Sequence, residues 1–450
     1  MTRASVAAAA CAILYVAALA SRLGAGGQLP DTFFDEASPP AVAYGTQVPH
    51  DRIAQLNGKL LDGSVTLTSQ PAGGYLRAVL QALAIPVESQ LAVFSKSSVQ
   101  ASIISPTNPR TLFFNDSLVI GWPRGGFIEA ASVDPQLGVI FYVLDQRTVS
   151  APRFQRAGSC LTCHVSLAAT LGVPGMLLRS EAVLGDGRTV RQLGFDDVDH
   201  RLPFEKRWGG WYVTGRGVAV PSRANVMLHE PVDVDAPVMP QTIPLATLDG
   251  KFDTSAYLSA YSDVAALMVF DHQVRMTNLL ARLSWETRAA AGKPDATALI
   301  DAVAREVVEY MLFVDEAPLT NRVEGGSGFA EWFSAQGPAD TRGRSLRQLD
   351  LTRRLLRYPC SYMIYSDAFD GLPPMAREAI YRRMYAVLSG QDQSPRYARL
   401  ARADRQAIIE ILLDTKRGLP SYFQAIDQRV DADYQRKVPR IDPAVTLRSR

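Results

Sequence analysis

The sequence predicts an α+β protein, with an antiparallel-strand-rich N-terminal half and a mainly helical C-terminal half. Three observations carry this. Short β-branched and aromatic runs crowd residues 91–144, and the links between them are too short for helical crossovers. From about residue 253 the apolar period becomes helical. The composition, 47% hydrophobic and 20% charged over 450 residues, supplies an ordinary globular core.

Taken in order, residues 31–60 are rich in Pro and Asp and read as an extended lead-in. Leu76 to Leu83 makes a short helix stopped near Pro86. Strands follow at Leu91–Ser95, Thr111–Phe114, Leu118–Ile120 and Gly138–Leu144, with turns at Asn115-Asp116 and Asp134-Pro135. Met176–Ser180 and Thr189–Leu193 flank Asp186-Gly187, a hairpin signal. Asp253-Thr254-Ser255 caps a long helix with Leu258, Tyr261, Val264, Met268 and Leu279 on its apolar side. Further helices are expected near 296–313, 344–358, 374–388 and 404–417, with a loop or hinge at Gly325–Gly328.

Two ends of the composition narrow the function. Lys and Arg number 47 against 45 Asp and Glu, a net charge of +2, so no concentrated basic surface invites nucleic acid. At the amino terminus Arg3 precedes an uncharged run over residues 4–20 that closes on Ala18-Leu19-Ala20. That pattern is a secretory signal peptide, which places the mature chain in the periplasm or otherwise outside the cytoplasm. The same run also suits an uncleaved N-terminal anchor, since it lies near the lower length limit for a membrane span. Cleavage leaves no later segment apolar for long enough to span.

The central chemistry is Cys160-Leu161-Thr162-Cys163-His164, the C-x-x-C-H spacing of a c-type haem attachment site. Two thiols at that spacing bond the vinyl carbons of one covalently attached haem c, and His164 becomes an axial iron ligand. Of the other cysteines, Cys11 leaves with the signal and Cys360 reads as a small buried hydrophobe. A thioredoxin-like pair normally follows a strand that residues 151–159 do not promise, and zinc would need two more ligands. His164 as a plain packed histidine is the remaining alternative. The segment is expected to run on as a helix through Leu167–Ala169, ended by Gly172 and Pro174.

A sixth iron ligand stays unassigned among Met176, Met227, His272 and Met276, with core packing the competing role for each methionine. Catalytic residues are not assigned. Asp199, His200, Arg201 and Glu205 form one polar stretch that suits proton donation or a loop salt-bridge cluster. Arg207 suits a haem propionate through its bidentate fork.

Around this motif the chain resembles exported bacterial proteins of the cytochrome-c-like group, of a large single-haem type. The resemblance rests on Phe94–Gln100, Asn108-Pro109-Arg110, the haem pentapeptide, Arg207–Trp211, Phe270–Gln273 and Ser361–Ser366, and it covers most of the mature chain. It implies a cytochrome-c-like haem segment embedded in the α+β body, and electron transfer to a redox partner protein. The chain differs from a small soluble carrier in its size. The resulting division is a signal peptide at 1–20, lead-in at 21–60, mixed strand-rich region at 61–150, haem-attachment region at 151–250, helical region at 251–430 and tail at 431–450. A haem-dependent oxidoreductase of peroxidase or oxygenase type, or a haem-based sensor, is the alternative to a carrier.

Overall fold

The computed structural model describes residues 38–424, apart from 148–150, 217–220, 237 and 241–244. The expected signal peptide, Cys11 and the 431–450 tail lie outside the described residues.

The first helix, α1 (Arg52–Leu61), falls where an extended lead-in was expected. Asp51 is the reason. Its carboxylate accepts from the Ile53 and Ala54 amides at 2.8 and 3.3 Å, which caps the helix, and from the Tyr142 hydroxyl at 2.6 Å. The cap therefore also fastens the helix to the sheet. A second short helix, α2, spans Leu76–Ala82.

Seven strands form one antiparallel sheet in the order β6-β5-β4-β3-β2-β1-β9. They are β1 (Leu91–Val93), β2 (Arg110–Phe114), β3 (Leu118–Pro123), β4 (Ile128–Asp134), β5 (Gly138–Leu144), β6 (Gln155–Arg156) and β9 (Trp211–Tyr212). A separate pair joins β7 (Arg179–Glu181) to β8 (Phe195–Asp197). The Asp186-Gly187 turn exists, since Gly187 N donates to Leu184 O and Val183 bridges Thr189. Its arms then part, and β7 takes the later β8 as partner.

Register fixes the two faces of the sheet, because side chains alternate. Val93, Arg110, Leu112, Gly121, Glu129, Ala131, Phe141 and Val143 share one face. Ala92, Thr111, Ile120, Ala130, Tyr142 and Tyr212 share the other.

The helical half consists of α4 (Val264–Ala290), α5 (Ala296–Met311), α6 (Phe329–Ala335), α7 (Asp367–Asp370), α8 (Pro374–Leu388) and α9 (Arg402–Thr415). Helix α4 is buried nearly all round, as befits a central core helix. It starts at Val264, later than expected, because Asp263 is the effective cap; Asp253 caps only a single turn at Thr254–Ala256. No helix forms over 344–358. The Asp350 carboxylate accepts from the Thr352 and Arg353 amides, and Leu351 takes a left-handed φ of 53°, so the chain turns there. Among the described residues no helix is long and apolar enough to cross a membrane.

Candidate functional site

The C-x-x-C-H segment is pinned to the edge of the sheet from both ends. Upstream, β6 pairs with Tyr142 and Val143, and Ala157 N donates to Phe141 O at 2.8 Å. A two-residue antiparallel edge strand thus precedes the motif, unlike the parallel strand of a thioredoxin-type site. The motif itself is one turn, Gly158–Cys160, followed by the four-residue helix α3 (Leu161–His164). Leu161 is buried and anchors the turn, while Thr162 and Cys163 face outward. The helix stops at His164; Leu167–Ala169 lie in a turn, where Leu171 has a left-handed φ of 63°.

Cys160 and Cys163 are free thiols, one partly buried and one exposed. Spaced three apart, they lie on one side of the helical turn. Burial and the nearby Glu129 charge push the Cys160 thiol up to about 11, so it is held protonated.

His164 is oriented by backbone. Its Nδ1 lies 2.9 Å from the Gly175 carbonyl, and its own carbonyl accepts from the Gly175 amide at 3.0 Å. A carbonyl can only accept, so Nδ1 carries the hydrogen and Nε2 keeps its lone pair. Burial drops the ring's pKa to about 4, which keeps it neutral at ordinary pH. Nε2 makes no hydrogen bond among the described residues. The Phe141 ring packs beside the imidazole, with centroids 4.4 Å apart.

Asn278 on α4 fixes the carbonyl that orients the ring. Its Oδ1 accepts from Met176 N and its Nδ2 donates to Met176 O, both at 2.9 Å. Glycine at 175 lets the segments approach closely, since a Cβ there would lie 2.5 Å from Asn278 Oδ1 and 2.9 Å from Thr170 Cβ.

The sheet face beneath the motif holds a polar group that sequence reasoning missed. Glu129 accepts from Arg110 Nη1, Ser98 Oγ and Gln100 Nε2, at 2.7, 2.7 and 3.0 Å. These donors hold its carboxyl below the usual range against the opposing effect of burial. Gly121 lies between the strands, where a Cβ would meet Glu129 Oε2 and Leu112 Cδ2 at 3.2 Å each. Ala131 and Val143 on this face are only partly buried. Arg110 stands out in the sequence only within Asn108-Pro109-Arg110, one of the segments that carry the resemblance. The signal for Glu129 was faint: an acid second in Ile128–Asp134, a strand whose alanines and serine disguise it.

The shortlisted sixth ligands are dispersed. Met176 is buried, and its backbone N–H and carbonyl are both held by Asn278. Met227 packs with Ala92, Phe94 and Tyr212, two of which lie on the sheet face opposite His164. Met276 is fully buried in α4. His272 is fully buried with both nitrogens engaged: Nδ1 meets His200 Nδ1 at 2.8 Å, and Nε2 meets Ser361 Oγ at 2.7 Å.

The polar stretch at 199–205 does not converge on the motif. Asp199 and Arg201 pair with each other at 2.6 Å, Glu205 is exposed, and His200 joins His272, Tyr310 and Phe313 in a buried stack. Arg207 is also elsewhere. Its guanidinium is 2% exposed and bonds Asp271 Oδ2 at 3.1 Å, with the His200 and Leu202 carbonyls taking further donors. Trp208 Nε1 donates to the same carboxylate, which burial pushes up to about 7 while these donors pull it back. Cys360 is fully buried, its thiol pushed up to about 12 by burial.

Among the described residues, no group of three or more His, Cys, Asp or Glu side chains gathers as a metal-ion site. Comparison with protein-family models, curated proteins and solved structures gives no match.

Proposed function

We propose that this chain is an exported monohaem protein of the cytochrome-c-like group, transferring electrons to a partner protein through one covalent haem c. One observation carries the reading: two unpaired thiols lie on a single turn whose next residue, His164, has a neutral imidazole with Nε2 free and Nδ1 fixed to a carbonyl. A metal-ligating histidine is ordinarily held this way through its other nitrogen. Cys160 and Cys163 would hold the porphyrin and His164 the iron, and the bound group would supply one-electron chemistry.

The surroundings suit such a group. Arg110 Nε is buried without a partner, and Gly121 and Ala131 leave the neighbouring sheet face low. The protein's own part is to seat the cofactor on a rigid sheet, orient the axial ring, and keep its Nε2 unprotonated. Export rests on the amino-terminal sequence, which lies outside the described residues.

A second reading, a haem-dependent oxidoreductase or sensor, is favoured by the positions of Met176, Met227, His272 and Met276. His272 has both nitrogens engaged, Met176 and Met276 are buried, and Met227 packs against a cluster on the sheet face opposite His164. Slow reaction of the purified holoprotein with carbon monoxide and cyanide supports the carrier, and rapid reaction supports the oxidoreductase or sensor.

The attachment is tested by intact mass and by absorbance after denaturation. The wild-type chain should retain one macrocycle through denaturation, and Cys160→Ala with Cys163→Ala should retain none. A wild-type chain without the added mass would overturn the proposal.

A further inference from the structure

The haem's two carboxylates need cations where the cofactor leaves water, and Arg207 is consumed by Asp271. Resting on the haem reading above, we propose that Arg110 and Arg179 are the residues that bind those carboxylates, one guanidinium approaching from β2 and the other from β7.

Arg110 lies on the His164 face of the sheet, two strands from Glu129 and two residues out of its register. Its side chain is 19% exposed, and only Nη1 is bonded, to Glu129. Nε is buried without a partner, an arrangement that is costly where nothing replaces water. The free edge formed by Nε and Nη2 is a fork of the shape a carboxylate fills.

Arg179 reaches the same region from the other side. Its carbonyl accepts from Trp211 Nε1 at 2.8 Å, and Trp211 pairs with Val93, the register partner of Arg110. The guanidinium is held over the Phe195 ring at 4.1 Å, and of its nitrogens only Nε is bonded, to Asp197 at 3.3 Å. Arg179 follows by four residues the Gly175 carbonyl that holds the His164 ring, and Arg110 shares the sheet face of Phe141, whose ring packs beside that imidazole. The acids there are accounted for: Glu129 is held by Arg110, Ser98 and Gln100, and Asp197 by Arg179. Glu181 Oε2 is buried without a partner, and burial raises that carboxyl, which lessens its competition for the arginines.

The test uses the full chain carrying its haem, with attachment confirmed by mass. Arg179→Gln and Arg110→Gln should each lower the midpoint potential, because removing a cation beside the cofactor disfavours the reduced iron. Each should also shift the propionate bending bands in the resonance Raman spectrum. Arg179→Lys should restore the potential but not the bands, since it keeps charge and loses the fork. Arg382→Gln, which breaks an exposed pair with Asp301 on the helical half, should change neither. Arg179 is accessible enough to be replaced without unfolding the chain, so it decides the matter if Arg110→Gln does not accumulate. Haem attached with potential and bands unmoved in Arg179→Gln overturns this assignment alone. Absence of covalent haem from the wild-type chain overturns the proposed function and this assignment with it.

Discussion

The His200 and His272 rings share one buried hydrogen bond, Nδ1 to Nδ1 at 2.8 Å, with no solvent reaching either. One nitrogen must donate and the other accept, so two imidazolium rings cannot coexist there. Burial pushes His272 down to about 3 and His200 well below its ordinary value, the second effect sharpened by its neighbour's charge. Unfolded, both rings take protons below about pH 6.5. Folded, they do not until far lower, so the unfolded state binds more protons throughout that window. Stability is therefore constant above neutrality in this respect and falls as pH drops from about 6.5, by roughly 1.4 kcal/mol per unit for each ring. His272→Gln should show a shallower loss than wild type between pH 7 and pH 5 in urea unfolding. Equal slopes would show that the rings already protonate in the native state.

The preceding residue on helix α4 tests charge burial. Asp271 receives Arg207 and Trp208, all three side chains sealed from solvent. Removing the carboxylate strands a guanidinium without its counter-charge, which typically costs 3–5 kcal/mol, roughly. Asp271→Ala should lose about that much unfolding free energy. A loss under about 1 kcal/mol would mean that water enters to solvate Arg207.

Asp263 joins the start of α4 to a glycine loop. One carboxylate oxygen accepts from the Ala265 and Ala266 amides, and the other accepts from Gly326 N and Ser327 N. A Cβ at Gly325 would lie 2.5 Å from both oxygens. Asp263→Ala should cost about 2–3 kcal/mol, more than an exposed cap, since the Ala265 and Ala266 amides left behind are buried and those of Gly326 and Ser327 partly so. Gly325→Ala should be destabilising in the same measurement. Neutral behaviour of both would show that the loop re-forms without the carboxylate.

Much of this architecture was legible in sequence where a local rule met no competitor. Helices 296–311 and 374–388 carry apolar residues at helical spacing and emerge as expected. Strand β4 was not legible, because Glu129, Ala130, Ala131 and Ser132 lack the branched side chains that mark strands, and its neighbours β3 and β5 are what hold it extended. The segment 344–358 misled in the opposite way: its leucines suggest a helix, but Asp350 captures two amides locally. At the site, the C-x-x-C-H motif is readable because its residues are contiguous. The carbonyl of Gly175, the Asn278 clamp and the Glu129–Arg110 pair come from distant segments, and only folding juxtaposes them.

The burial of two shortlisted ligands has a spectroscopic consequence. His272 spends both nitrogens on His200 and Ser361, and Met276 is enclosed in the core. Replacing them by His272→Gln and Met276→Leu should leave the Soret position and spin state of the holoprotein as in wild type. A shift to a high-spin spectrum in either variant would assign that residue to the iron and require α4 to move.

On the haem reading, the clamp on the His164 ring makes the last prediction. A carbonyl accepting from Nδ1–H pushes electron density toward Nε2, which strengthens the imidazole as a donor and favours oxidised iron. Asn278 holds that carbonyl through Met176 on either side of the peptide. Asn278→Ala frees the segment, and Gly175→Ala drives it away by the Cβ contact with Asn278. Both should therefore raise the midpoint potential, the opposite sign from loss of a nearby arginine. The double variant separates clash from clamp: with Asn278 already shortened, adding Gly175→Ala should change the potential little further. A spectroelectrochemical titration measures all three, and potentials equal to wild type would show that the Gly175 carbonyl keeps its place without Asn278.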